Sequence, residues 1–182
     1  MGLGLLSLVI TIAIISMIML HFLSKEPTIQ RPITMADETA VLSSLRTIST
    51  AQVQFQNAAL KDQDGDYVGE YGTLYELAGI TAPSGKTGAA FVPFIDQQLG
   101  LGSKLGYEFS VYVGESACAA GTATNASEEG YLAVAWPSTY EQTGRRSFCV
   151  DQSGTIRGMD IGGDAPGCSA VTGTSPWPTV GN

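Results

Sequence analysis

Basic residues are scarce in this chain. Its 182 residues carry 9 Lys and Arg against 17 Asp and Glu, a formal net charge of −8. Phosphate recognition needs a concentrated basic face, so no nucleic-acid partner is expected. Arg145 and Arg146 are adjacent, and two exposed arginines read as a solvated edge. Histidine is scarcer still. His21 stands alone at the end of an apolar run, where it cannot complete a Ser/His/Asp or Cys/His site in a separate domain. No other base and nucleophile declare themselves, so the chain is not expected to be an enzyme. Three cysteines, Cys118, Cys149 and Cys168, come with no C-x-x-C and no neighbouring histidine, which excludes a zinc or redox motif. Charged residues make up only 14% of the chain, a surface suited to the cell envelope more than to the cytosol.

The first twenty-five residues lack any acid, and no basic residue precedes Lys25. From Leu3 to Leu23 the run is broken only by Ser7, Thr11, Ser16 and His21. A helix of about twenty residues spans roughly 30 Å, the thickness of bilayer hydrocarbon. A cleaved export signal would carry a basic start and a small-x-small cleavage site, and "LHFLSKEP" offers neither. Residues 1–24 are therefore expected to form a transmembrane or filament-core helix. Lys25 and Arg31 follow the span and favour that side as cytoplasmic. The cysteines and the domain that follows outweigh these two residues. The chain is expected to be anchored in the inner membrane with its globular part outside the cytoplasm.

Residues 25–36 contain Pro27 and Pro32, each of which removes an amide donor and should break the helix. A second helix is then read in "DETAVLSSLRTISTAQVQFQNAAL", with Asp37 as N-cap. Val41, Leu45, Ile48 and Phe55 recur on one face of it and are the expected packing stripe. A helical turn is expected over Tyr71–Leu77 with Gly79 as its stop, and another in "FVPFIDQQLG". After that the period drops to two. "LGYEFSVYVG", "GYLAVAWP" and "RRSFCVDQSGTIRGM" read as strands, with "DQSG" as a hairpin turn. Helix first and antiparallel strands afterwards make an α+β fold: a long N-terminal helix, transmembrane half plus amphipathic half, packed on a small sheet of about four strands. The globular domain is placed at 37–161, and the Gly/Pro-rich 162–182 is expected to be an irregular tail.

Two segments resemble binding loops. "DQDGDYVGE" sets Asp62, Asp64 and Asp66 two apart, with Glu70 four further on. Alternating carboxylates around a Gly turn suit calcium, a hard, oxygen-seeking cation, although the full twelve-residue EF-hand pattern is lacking. The ordinary alternative is a solvated acidic turn. "GITAPSGKTG" has the wrong spacing for a phosphate loop, follows a helix pattern, and is read as surface.

The run "DETAVLSSLRTISTAQVQFQ", with "GEYGTLYELAG", "SKLGYEFSVYV", "AVAWPSTYEQTGRRSFCVDQSGTIRG" and Pro27, resembles type IV pilins and type II secretion pseudopilins. These pieces span Pro27 to Gly158 in family order. The resemblance implies a pilin-like fold and a structural subunit of a pilus-like filament or secretion pseudopilus, a homo-oligomer or an assembly with other pilin-like subunits. The alternative is a non-polymerising, membrane-tethered pilin-like domain that binds a partner or ligand. Pilins also staple the C-terminal segment to the sheet, which implies Cys149 with Cys168 and leaves Cys118 over; Cys118 with Cys149 is the rival pairing. A staple of that loop size contributes about 3 kcal/mol. The chain departs from the family at its start. No basic leader precedes Gly2 or Gly4, and Val9 or Ile10 stands where pilins carry a glutamate.

Overall fold

The computed structural model describes residues 2–23, 30–83, 92–114, 126–167 and 177–180. The chain divides into two units, residues 1–33 and 34–182. The first contains α1 (Gly2–Leu23). On its described side chains, Ile10, Ile12, Ile14, Ile15, Met17, Ile18 and Met19 are all exposed. Ser16 turns its hydroxyl back onto the Ile12 carbonyl at 2.8 Å, so this polar group is satisfied within the helix.

The second unit is built on a helix and a sheet. Helix α2 (Gln30–Asn57) begins in the first unit and enters the second at Thr34. Short helices α3 (Leu74–Leu77) and α4 (Gln97–Gly100) follow, and α5 (Ala126–Glu129) precedes the third strand. Thr73 caps α3 with a reciprocal box: its hydroxyl accepts the Glu76 amide, and Glu76 accepts the Thr73 amide. Asp96 caps α4 in the same sense, accepting the Leu99 amide at 3.0 Å.

Strands β1 (Ser103–Lys104), β2 (Tyr107–Val113), β3 (Tyr131–Pro137), β4 (Arg146–Asp151) and β5 (Ile156–Asp160) form an antiparallel meander in sequence order. The register pairs Phe109 with Ala135, Ala135 with Phe148, and Phe148 with Gly158. Period-two alternation therefore sends one set of side chains towards α2. Val41, Leu45, Ile48, Ala51 and Phe55 join Tyr107, Phe109, Tyr131, Ala133, Ala135, Phe148, Val150 and Ile156 in one core. The opposite face of the sheet carries a smaller cluster of Leu132, Val134 and Cys149, covered by Trp136 and Trp177. Strand β3 is thus buried on both faces from Tyr131 to Ala135, which is why "YLAVA" is continuously apolar.

Several expectations are corrected. The sheet has five strands where about four were expected. The extra one, β1, is only two residues long, too short for an alternating pattern to reveal. It exists because Leu105 and Gly106, at φ of 54° and 74°, make the two-residue turn that returns the chain onto β2. The transmembrane half of a long N-terminal helix is not seen: among the described residues, no helix is long and apolar enough to cross a membrane. Asp37 is no N-cap, because α2 starts seven residues earlier and encloses it. Pro32 does not break the helix either. It lies in the first turn of α2, where the missing amide has no intrahelical partner to lose. Pro27 lies outside the described residues. The tail is irregular up to a point, but Thr179 pairs with Arg157 and extends the sheet beyond β5.

Candidate functional site

The acidic loop expected from the sequence grows from the end of α2. Ala59, at φ 45°, turns the chain out of the helix, and Gly69 brings it back. A side chain on Gly69 would put its Cβ 1.9 Å from the Gln56 carbonyl oxygen, so only glycine allows the return. The base of the loop is closed by the Glu70 amide donating to the Lys61 carbonyl at 2.9 Å.

Between these two residues the aspartates serve the loop's own backbone. Asp62 accepts the amides of Gly65 at 2.8 Å and Tyr67 at 3.2 Å. Asp64 accepts from the Asp66 amide at 3.3 Å, and Asp66 from Val68 at 2.7 Å. Such side-chain-to-backbone bonds are how aspartate builds turns without regular structure. They also bring the three carboxylates together. One oxygen from each of Asp62, Asp64 and Asp66 lies within 4.8 Å of the others. These three residues could share a hard cation such as calcium.

Glu70 belongs to a different arrangement. It sits at the buried root of the loop, its side chain 1% exposed, with the Lys61 ammonium 3.2 Å from Oε2 and itself 8% exposed. The Gln63 amide donates to Oε1 at 2.7 Å, and the Ser127 hydroxyl donates to Oε2 at 2.5 Å. Helix α5 is fastened to this root by the Tyr71 amide on the Ser127 carbonyl, 2.8 Å, and by the Gln56 side chain on the Glu128 carbonyl, 3.0 Å. Glu128 is the odd member. Its Oε1 is shielded from solvent and has no hydrogen-bond partner among the described residues. Desolvation raises its pKa, and repulsion from Asp66, Asp64, Glu70 and Asp62 raises it further. The expected four-carboxylate set thus divides into three exposed or half-exposed aspartates and one buried, paired glutamate.

The expected packing residues are where the pattern placed them: Val41, Leu45 and Ile48 are 0% exposed and Phe55 is 1% exposed. Among the described residues Cys149 has no disulfide partner; it is fully buried in β4, and burial pushes the pKa of its thiol up to about 12. Cys118 and Cys168 lie outside the described residues. Two polar anchors carried no sequence signal. Buried Glu38 on α2 accepts from the Arg145 and Arg146 amides, each at 3.2 Å, and pairs with the Arg146 guanidinium at 2.8 Å. Buried Gln52 donates to the Gly72 carbonyl at 2.6 Å and accepts the Gly72 amide at 2.9 Å. The first joins α2 to β4 and the second joins α2 to the segment before α3. Both contacts are remote in sequence, and nothing local announces them.

These features define a class of protein: an α+β domain with one helix-on-sheet core and an acidic loop rooted on a buried ion pair. Residues 25–176 match DUF2950, described as a protein of unknown function, and the chain belongs to that family. No curated protein matches the chain. No solved structure matches it either.

Proposed function

We propose that this chain is a structural subunit of a pilin-like assembly in the cell envelope, a pilus-like filament or secretion pseudopilus. One observation carries the reading. Seven large apolar side chains of α1, from Ile10 to Met19, are between 50% and 78% exposed. At 100° per residue they spread over about 220° of the helix circumference, too wide for a single narrow contact face to cover them. A helix apolar over so wide an arc belongs inside something larger. Neighbouring copies supply the matching surface, because the same segment on each copy is equally apolar and buries its internally bonded Ser16 at little cost. The order of motifs from Pro27 to Gly158 and the α2 stripe packed on an antiparallel sheet support the same reading.

The alternative, a non-polymerising domain that binds a partner through its loops, draws on a different fact. The family match starts at residue 25, so what the chain shares with its relatives is the part after α1. Sedimentation and electron microscopy of the full-length protein and of sheared surface material separate the two. Multi-copy filaments that disperse in the Ile14→Asp, Ile18→Asp double variant are the expected result. A wild-type chain that stays monomeric and never appears in sheared fractions would sink the assembly reading and leave the binding domain.

A further inference from the structure

We infer that Lys61 and Glu70 become joined by an intramolecular amide bond, a self-made cross-link at the root of the acidic loop. The two side chains are buried, 8% and 1% exposed, and Nζ stands 3.2 Å from Oε2. Their backbones are already held together by the Glu70 amide on the Lys61 carbonyl at 2.9 Å. The reacting groups therefore meet with no loop closure left to perform, which is the condition under which an intramolecular reaction gains most over a bimolecular one.

The carboxyl group is also dressed for acyl transfer. The Gln63 amide donates to Oε1 at 2.7 Å and can hold the oxygen that becomes negative as Nζ attacks Cδ. The Ser127 hydroxyl bonds Oε2 at 2.5 Å, the same oxygen that Lys61 approaches. The step balances without any co-reactant. The neutral amine of Lys61 forms the C–N bond to Glu70 Cδ. The ammonium gives up one proton to Oε2 to become that amine, and a second proton passes from the attacking nitrogen to Oε2 through the Ser127 hydroxyl. The C–O bond breaks, and Oε2 leaves as one water while the amide keeps its single N–H.

The energetics favour the product. A buried ion pair has to offset the desolvation of two charges, a cost of several kcal/mol per ion, whereas an amide carries neither charge. The bond would also close the stretch Asp62–Gly69 into a covalent ring, removing conformational freedom from the unfolded chain.

Tandem mass spectrometry of the full-length protein, purified folded and then reduced and denatured, tests this directly. Trypsin should fail to cut after Lys61, and the peptide Thr47–Lys86 should appear lighter than its sequence by one water. Lys61→Met should restore the full mass. Glu70→Gln, which keeps the shape of the group, should lose ammonia in place of water. A wild-type peptide cut at Lys61 and carrying its full sequence mass would overturn the cross-link and leave a buried ion pair.

Discussion

Helices α1 and α2 treat their apolar side chains in opposite ways. In α1, large apolar groups from Ile10 to Met19 are spread over about 220° of the helix, all at least half exposed. In α2, Val41, Leu45, Ile48 and Phe55 form one stripe and are at most 1% exposed, while Val53 lies outside it at 49%. The other side of α2 carries Ser43, Arg46, Thr47 and Thr50, which face water or line a shallow surface hollow. The pattern of α2 is completed within the chain: a stripe meets a sheet, and the polar face stays wet. The described side chains of α1 show no such buried stripe.

The sharpest way to break that contrast is to truncate one side chain on each helix. Phe55 packs edge-on against Phe94 with ring centroids 6.0 Å apart, and it lies over Gly72. Phe55→Ala should lower the unfolding free energy of the domain by about 3–5 kcal/mol through lost contacts and a residual cavity. Ile15→Ala on α1 should change it by less than about 0.5 kcal/mol, because an exposed side chain loses little on truncation. Urea unfolding followed by tryptophan fluorescence reads both, since Trp136 and Trp177 cover the second face of the sheet. An Ile15→Ala loss comparable to that of Phe55→Ala would mean that α1 is covered within its own chain.

The same contrast explains how far the sequence could be read. The stripe of α2, the hairpin at Asp151–Gly154 and the small helices before β1 were legible because each depends on neighbours a few residues apart. The Gly154 amide on the Asp151 carbonyl, 2.9 Å, is the turn that "DQSG" announces. Strand β1 was illegible because two residues show no period. In the acidic loop, the sequence brought out Asp62, Asp64 and Asp66 correctly as a cluster. It misjudged Glu70, whose true partners, Lys61 and Ser127, stand 9 and 57 residues away. Gln52 and Glu38 were missed for the same reason. A buried polar side chain is chosen by the one distant group it must satisfy, and that group is set by topology. Spacing does not reveal it.

Burial should leave a signature in the pH dependence of α2's union with the sheet. Tyr131 lies in the core beneath α2 and donates its hydroxyl to Ser49 Oγ at 2.9 Å. Desolvation pushes its pKa up to about 12 despite the lowering effect of the Ser49 bond. Tyr107 is shifted in the same direction, chiefly by burial and then by Glu38. An unfolded tyrosine titrates near 10, so between roughly pH 10 and 12 the unfolded chain sheds a proton that the folded chain retains. Stability is therefore complete below about pH 10 and falls as the pH rises through that window, by roughly 2 kcal/mol for Tyr131 alone. Tyr131→Phe should flatten that part of the decline while leaving the contribution of Tyr107. An alkaline unfolding profile identical to wild type would show that the Tyr131 hydroxyl is as well solvated in the folded state as in the unfolded one.

The smallest effect tests whether burial, and not closeness, sets the worth of a contact. Lys104 on β1 lies 2.7 Å from Asp96 Oδ2, slightly closer than Arg146 lies to Glu38 at 2.8 Å. Distance alone would rank the Lys104 pair first. Its side chains are 27% and 49% exposed, however, whereas Glu38 is 11% exposed and also accepts two backbone amides. Water and salt screen the exposed pair, and ordering the long lysine side chain costs entropy. Lys104→Ala should therefore cost less than about 0.5 kcal/mol at moderate salt. Asp96→Ala should cost about 1 kcal/mol, because it also removes the cap on the Leu99 amide. The Lys104 hydrogen bond depresses the Asp96 pKa, so the small contribution of this pair is present above about pH 4 and fades as the pH falls below it. Urea midpoints at low and high salt decide the matter. If Lys104→Ala cost as much as Asp96→Ala and the loss did not shrink with salt, proximity would outrank burial at this contact.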